Sequence, residues 1–316
     1  MSKKFLEDNK DKKFDVKDED KKCAPDNIYN NNTCFTIESL TKMATAYNKK
    51  INEKKMTGEI IEIKNNKKHL VSELTNRLQN VCDNQICWLK QDFIKELRDE
   101  NIQEKTFRPV GPQAKFAWLS TTNINDVMEQ YEKKYSNFKY YGAVPIDFDN
   151  LEQLGIRNIN FDDLLKKNIN KLGFIFNFDE HWQDGSHWVS MFVDIAQDQI
   201  YYFDSYGHKP KKQIKTLVNR IAKWCYNRHI LKQDDMESSM TEQSFMNPKR
   251  LNYIEQKIKT IKFNKIRHQF KYSECGTYSI NFILRLLKGE TFEFICDNIT
   301  KDDTVNKCRE TYFRFE

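Results

Sequence analysis

Residues 269–287 read QFKYSECGTYSINFILRLL, a polar, turn-forming start that runs into a long apolar stretch. Tyr278, Ile280, Ile283 and Leu284 suit a buried helix, and Cys275 stands where that helix begins. A thiol at a helix start faces unpaired backbone N–H groups and the positive end of the helix dipole, which favour thiolate over thiol. Taken alone, a cysteine here is most simply a small packed side chain. The rest of the chain decides between the packed and the reactive reading.

Immediately upstream, Ile261–Ile266 reads as a short strand, and Gln269 follows it, six positions before Cys275. An amide side chain there can donate to a carbonyl oxygen as negative charge builds on it, beside the backbone N–H of Cys275. Further back, HWVSMFVDI (187–195) and QIYYFDS (199–205) are extended runs joined by a polar turn at 196–198, the pattern of adjacent strands. His187 opens the first run and Asp204 closes the second. Pairing the two strands therefore brings their side chains to neighbouring strand ends, although they are seventeen positions apart. An imidazole in that setting accepts the proton of a nucleophile while the carboxylate fixes the ring's tautomer. A structural hydrogen bond would use the same pair. Only the addition of Cys275 and Gln269 makes the catalytic reading the better one.

Two further strands fit FKYYGAVPIDF (138–148), interrupted by Gly142 and Pro145, and KLGFIFNF (171–178). Helical stripes flank them. Ile124, Val127, Met128 and Tyr131 follow a threonine cap at Thr121 or Thr122. Ile214, Leu217, Val218, Ile221, Ala222, Trp224 and Cys225 form another stripe over about 211–226, in which Cys225 reads as core and not as a second nucleophile. The arrangement is α+β, a central sheet flanked by helices. The polar run 233–250 reads as an exposed loop, a candidate neighbour of a substrate groove.

The first hundred residues differ. Residues 1–22 are nearly all polar or charged and read as a flexible tail. Residues 23–105 form a mainly helical accessory domain. Its stripes are Ile37, Leu40, Met43, Ala44 and Tyr47, capped by Thr33 or Thr36; then Leu70, Leu74, Leu78 and Val81; then Trp88, Leu89, Phe93, Ile94 and Leu97. Pro109, Gly111 and Pro112 punctuate the chain near the boundary, so 106–316 is the candidate catalytic domain.

Composition bounds the function without choosing it. Among 316 residues, 52 Lys and Arg stand against 46 Asp and Glu, a mild positive bias that gives only weak support to nucleic-acid contact. No stretch reads as a signal peptide or a membrane span. The eight cysteines are scattered, which favours a reducing compartment in which most are buried thiols; Cys82 and Cys87 are too widely spaced for a CxxC pair.

With these residues in hand, the chain resembles the cysteine-protease clan that holds the Ulp/SENP SUMO proteases, the adenovirus protease and the thiol proteases of giant DNA viruses. GSHWVSMFVDI, YYFDSYG and QFKYSECGTYSINFI match the clan's histidine, aspartate and glutamine–cysteine blocks in order, and AWLSTTNINDVMEQY resembles the segment that opens its catalytic domains. The resemblance implies an Ulp/adenovirus-protease-like core. It implies a His187–Asp204–Cys275 triad with Gln269 in the oxyanion hole, and no metal or organic cofactor. It also places Trp188 beside a narrow substrate channel, where a packed tryptophan at a strand edge is an equal reading, and makes Asn177 a polar active-site position. The expected activity is cysteine endopeptidase cleavage after small or Gly-containing segments, in maturation of viral structural precursors, acting in host cytoplasm or viral factory or packaged in the virion. The alternative is removal of ubiquitin-like or SUMO-like modifiers, and a different class altogether is an inactive protease-fold scaffold or nucleic-acid-binding protein.

Overall fold

Leu40, Met43, Ala44 and Tyr47 recur every three or four residues, and they are the buried face of helix α1 (Ile37–Asn52). Of the two candidate caps, Thr36 does the capping: its hydroxyl accepts from Ser39 N at 3.1 Å. The computed structural model describes residues 23–103, 105–114, 116–234 and 260–314, so the tail 1–22 and most of the polar run 233–250 lie outside the described residues. Contacts divide the chain into two compact units, Met1–Gly111 with Glu310–Glu316, and Pro112–Arg309.

In the first unit α1 packs on α2 (Lys67–Leu78), which buries Leu70, Val71, Leu74 and Leu78. The continuous helix expected around Trp88–Leu97 is instead two single turns, Gln85–Trp88 and Asp92–Lys95. Asn84 caps the first, and extended backbone at Gln91 starts the second. Each turn still delivers its apolar residues. Phe35 lies between Trp88, with ring centroids 6.0 Å apart, and Phe107 at 5.3 Å.

Two findings correct the sequence reading of this unit. Cys23 is joined to Cys34, and Cys82 to Cys87, with Cα atoms 5.3 and 5.4 Å apart, within the span a disulfide bridges. They are not reduced thiols. In addition, Glu310–Arg314 group with this unit and not with the protease domain drawn as 106–316. Arg314 N donates to Pro109 O and Gly111 N to Arg314 O, both at 2.9 Å, so the last residues pair with backbone beside the boundary.

The second unit opens on α3 (Thr121–Lys134), capped by Ser120 and not by either threonine. Ser120 and Asn123 form a reciprocal capping box. The strands follow: β1 (Phe138–Val144), β2 (Lys171–Asn177), β3 (Trp188–Asp194), β4 (Gln199–Phe203) and, after helix α4 (Lys212–Asp234), β5 (Thr260–Phe263). They form one mixed sheet in chain order. β2, β3 and β4 are antiparallel, while β1 and β5 join the edges in parallel.

Period-two alternation gives the sheet two buried faces. Val189, Met191 and Val193 share a core with Phe174, Phe176 and Tyr202 and with Ile214, Leu217 and Ile221 of α4. Helix α5 (Cys275–Leu287) lies across β3 and reaches β2, with Phe282 stacked on Phe203 at 4.9 Å. Every residue of α5 is buried. A helix buried on all sides, with a cysteine as its first residue and its few polar side chains buried with it, puts that thiol under the protein surface beside the central strand β3.

Candidate active site

The β3–β4 pairing runs from Asp194↔Gln199 to Ser190↔Phe203, so the residues flanking its open end are His187 and Asp204. They meet: His187 Nε2 lies 2.7 Å from Asp204 Oδ1, both side chains buried. Asp204 is itself fixed. Its backbone N–H donates to Asn264 Oδ1 at 2.8 Å, its carbonyl accepts from Asn264 Nδ2 at 2.7 Å, and Tyr206 N donates to its Oδ1 at 2.9 Å. The imidazole is held between the Tyr206 ring, stacked at 4.7 Å, and the edge of Phe178 at 5.2 Å.

With Nε2 on the carboxylate, the remaining nitrogen, Nδ1, is the one left for Cys275, whose hydrogen bonding and charge act on the same ring. Burial pulls the pKa of His187 down, but the hydrogen bonds and negative charge of Asp204 and Cys275 outweigh it and raise the value to about 9. At neutral pH the ring is therefore an imidazolium that can donate a proton. The imidazolium carries a proton on each ring nitrogen, so it can donate to both partners.

Cys275 is 2% exposed and begins α5 with no side-chain cap, so the first amides of the helix keep their N–H groups unspent. Gly276 makes room for this geometry, since a Cβ there would come within 3.1 Å of Leu119 Cβ. Arg309, 1% exposed, donates to Ala117 O at 2.8 Å and Ser273 O at 3.0 Å, tying the Trp118 segment to the turn before Cys275.

Gln269 is fully buried, and its amide orientation is not free. The Ser205 hydroxyl donates to Oε1 at 2.6 Å, while Nε2 donates to Lys271 O at 2.7 Å and keeps a second N–H. The Ser205 carbonyl also accepts from His268 N and Gln269 N at 2.8 and 2.9 Å. One serine thus anchors both the backbone and the side chain of the amide donor to the residue next to Asp204. Trp188 is buried and donates from Nε1 to Leu119 O at 2.9 Å. Asn177, opposite Trp188 in the β2–β3 register, makes its hydrogen bonds to the turn at Asp179 N and Ser186 N and not to the His–Asp–Cys group.

His187, Asp204, Gln269 and Cys275, widely separated in sequence, are therefore brought to one place, with Trp188 and Asn177 beside it. Sequence reasoning did not single out Ser205, Asn264, Tyr206 or Arg309. Ser205 carried one usable signal, a small hydroxyl directly after a strand-ending acid. Arg309 carried none, because its acceptor at Ala117 is 192 positions away. The other free thiols are buried, and burial holds Cys225 and Cys296 protonated, with pKa raised to about 12 in each. Among the described residues no cluster of three or more potential ligands could hold a metal ion, and no helix is long and apolar enough to cross a membrane.

Residues 84–314, well over half of the chain, match the C-terminal catalytic domain of the Ulp1 protease family. The chain belongs to that family. It is 38% identical to a protein named as a thiol protease, R355, of Acanthamoeba polyphaga mimivirus, over 90% of both chains. It is 25% identical to the cysteine protease of African swine fever virus, over 78% of this chain and 90% of that one; the same protein of other isolates is named a SUMO-1 cysteine protease. The crystal structure of the African swine fever virus protease has the same fold, with a TM-score of 0.56 at 20% identity, covering 93% of this chain and 96% of that one. This chain is accordingly a cysteine protease of the Ulp1 family, with the mixed α+β fold that its motifs implied.

Proposed function

We propose that Cys275, His187 and Asp204 are the catalytic triad of an endopeptidase and that Gln269 is its oxyanion donor. The observation that carries the reading is the buried 2.7 Å contact of His187 Nε2 with Asp204, with Cys275 acting on the same ring. The Cys275 thiolate adds to the scissile carbonyl carbon. The oxygen then takes up negative charge, facing the Cys275 N–H and the second N–H of Gln269 Nε2. As the tetrahedral adduct collapses, the C–N bond breaks and His187 gives its Nδ1 proton to the leaving amine, which leaves a thioester. Neutral His187 next removes a proton from water, water adds to the thioester, and the carboxylate product departs as the thiolate and imidazolium are restored.

The packed Trp188 beside His187 supports selection of small, Gly-containing segments at the cleavage point, since a bulky side chain has no room under a fixed indole. The thiol-protease and cysteine-protease names of the viral relatives support a role in maturing viral structural precursors, in host cytoplasm, viral factory or virion. The SUMO-1 cysteine protease name of some African swine fever virus proteins supports a second reading, removal of SUMO-like modifiers. Incubating the protein and its Cys275→Ala variant with viral structural precursors and with modifier conjugates, then sequencing the new termini, separates the two. New termini that appear equally with the variant would sink the assignment and leave a protease-fold scaffold.

A further inference from the structure

We propose that the groove running from Trp188 toward the β2–β3 turn is a subsite for a lysine or arginine side chain of the substrate. The inference rests on the peptidase reading but is tested separately from it. The groove has a volume of about 450 Å³, and Trp118, Leu151, Leu154, Pro145 and Trp188 supply its apolar walls. This is room for a long side chain and the peptide that carries it. Trp118 is 52% exposed, so an aromatic face is open to a ligand.

The rest of the lining is rich in carboxylates. Asp179, Glu180 and Asp184 belong to it, and among the described residues no lysine or arginine does. Each carboxylate keeps acceptor capacity. Asp179 accepts only the Ser186 hydroxyl and Glu180 only the Trp182 indole N–H from side chains, whereas exposed Asp184 has no partner among the described residues. The histidine in the lining, His181, has its ring on Asp147 at 2.5 Å. A methylene stem against indole and leucine, ending in a cation among carboxylates, matches both parts of the lining; an acidic or wholly apolar side chain matches one at most.

Asn177 is a second and independent pointer to a peptide ligand. It is 8% exposed, and two backbone amides fix its Oδ1, which leaves Nδ2 as the end that faces the groove. Nδ2 has no acceptor among the described residues. Nδ2 is accessible from the groove, so a main-chain carbonyl of a bound peptide can take the place of water on it. Gly185 keeps that donor clear: it has φ +94, and a Cβ there would lie 2.9 Å from Nδ2. The donor thus aligns the peptide backbone while the carboxylates select its side chain.

The test uses labelled peptides with one Gly-containing core, in which Lys, Arg, norleucine or Glu is scanned over the flanking positions. Binding to the full-length Cys275→Ala protein is read by anisotropy, and cleavage by the wild-type protein as kcat/KM. We expect one position at which Lys or Arg binds roughly tenfold better than norleucine, an advantage that shrinks as salt is raised. Asp184→Lys should abolish or reverse that order. Asp184→Asn, a near-isosteric change at an exposed side chain, should weaken it, and covers the case in which the first variant fails to fold. Equal binding of Lys and norleucine peptides at every position overturns the inference, as does a preference that neither variant alters. Cleavage without a basic preference leaves the peptidase reading standing and removes the subsite. Lysine-selective binding with no cleavage does the reverse.

Discussion

The two units bury polar groups very differently. In the first, the buried polar or charged side chains among the described residues are Thr33, Ser39, Thr106 and Arg108, beside an apolar core that two disulfides staple. In the second, His187, Asp204, Ser205, Asn264, Gln269, Glu274 and Arg309 are all buried around the start of one helix, and the four cysteines are free. Buried polar groups cost stability unless each finds a partner, so a fold that gathers this many at one point and pairs them needs them there. The first unit is built for stability, and the second spends some of it on chemistry.

That contrast is broken most severely by Cys275→Ala. Peptidase activity should fall by a factor of about 10⁴ or more, while the thermal midpoint of unfolding stays nearly unchanged. An activity assay beside a melting curve checks both.

Asp204→Asn comes next. The loss in kcat should be on the order of 10⁴-fold, because the amide lacks the charge that holds the imidazolium and can present N–H to the ring, which favours the wrong tautomer. A pH profile of kcat/KM adds a sharper readout. His187 must be protonated to supply the leaving amine, so wild-type activity should be held below pH 9 and lost as pH passes through about 9. Removing the carboxylate should move that alkaline limb down toward the ordinary histidine value. The same raised pKa links to folding: the stabilisation from protonated His187 is complete below its ordinary value of 6.5 and disappears as pH rises through about 9.

Smaller losses should follow the amide. Gln269→Ala should cost about 10²–10³-fold in kcat, and Ser205→Ala about tenfold, because the amide remains but loses its anchor. In both, kcat should fall with KM little changed. A matching rise in KM would mean that Ser205 shapes the groove and not the oxyanion donor. The mildest test lies in the first unit. Reducing its disulfides should lower that unit's stability by about 2–3 kcal/mol per bridge, given closed loops of 11 and 5 residues. Steady-state cleavage at a temperature well below melting should change less than twofold.

Features set by local pattern were legible in the sequence. The Leu40–Tyr47 stripe, the β3–β4 alternation and the apolar run after Cys275 each follow from period and polarity alone, and the strand-end positions of His187 and Asp204 follow from the alternation. Features set by distant partners were not. Scattered cysteines do not reveal that Cys23 meets Cys34, or that Cys82 and Cys87 bridge a turn. Ser205 is an ordinary residue until Gln269, 64 positions on, arrives above it. The split of the expected Trp88–Leu97 helix turned on Gln91 taking extended backbone, which neither apolar spacing nor helix propensity marks. The cap of α3 was one residue off because Ser120 and Thr121 offer the same hydroxyl; the partner Asn123 decides between them.

The pairing of Arg314 with Pro109 and Gly111 has a consequence for the order of synthesis. Residues 23–111 of the first unit, with both disulfide pairs, are made before residue 275, yet the unit's segment 310–314 is made after it. In between come His187 and Asp204, then Cys275, the proposed nucleophile. A nascent chain that has released residue 204 but not residue 275 carries the imidazole–carboxylate pair and no thiol for it to activate. On the proposed roles, the chain can cut neither itself nor its neighbours before residue 275 has been made.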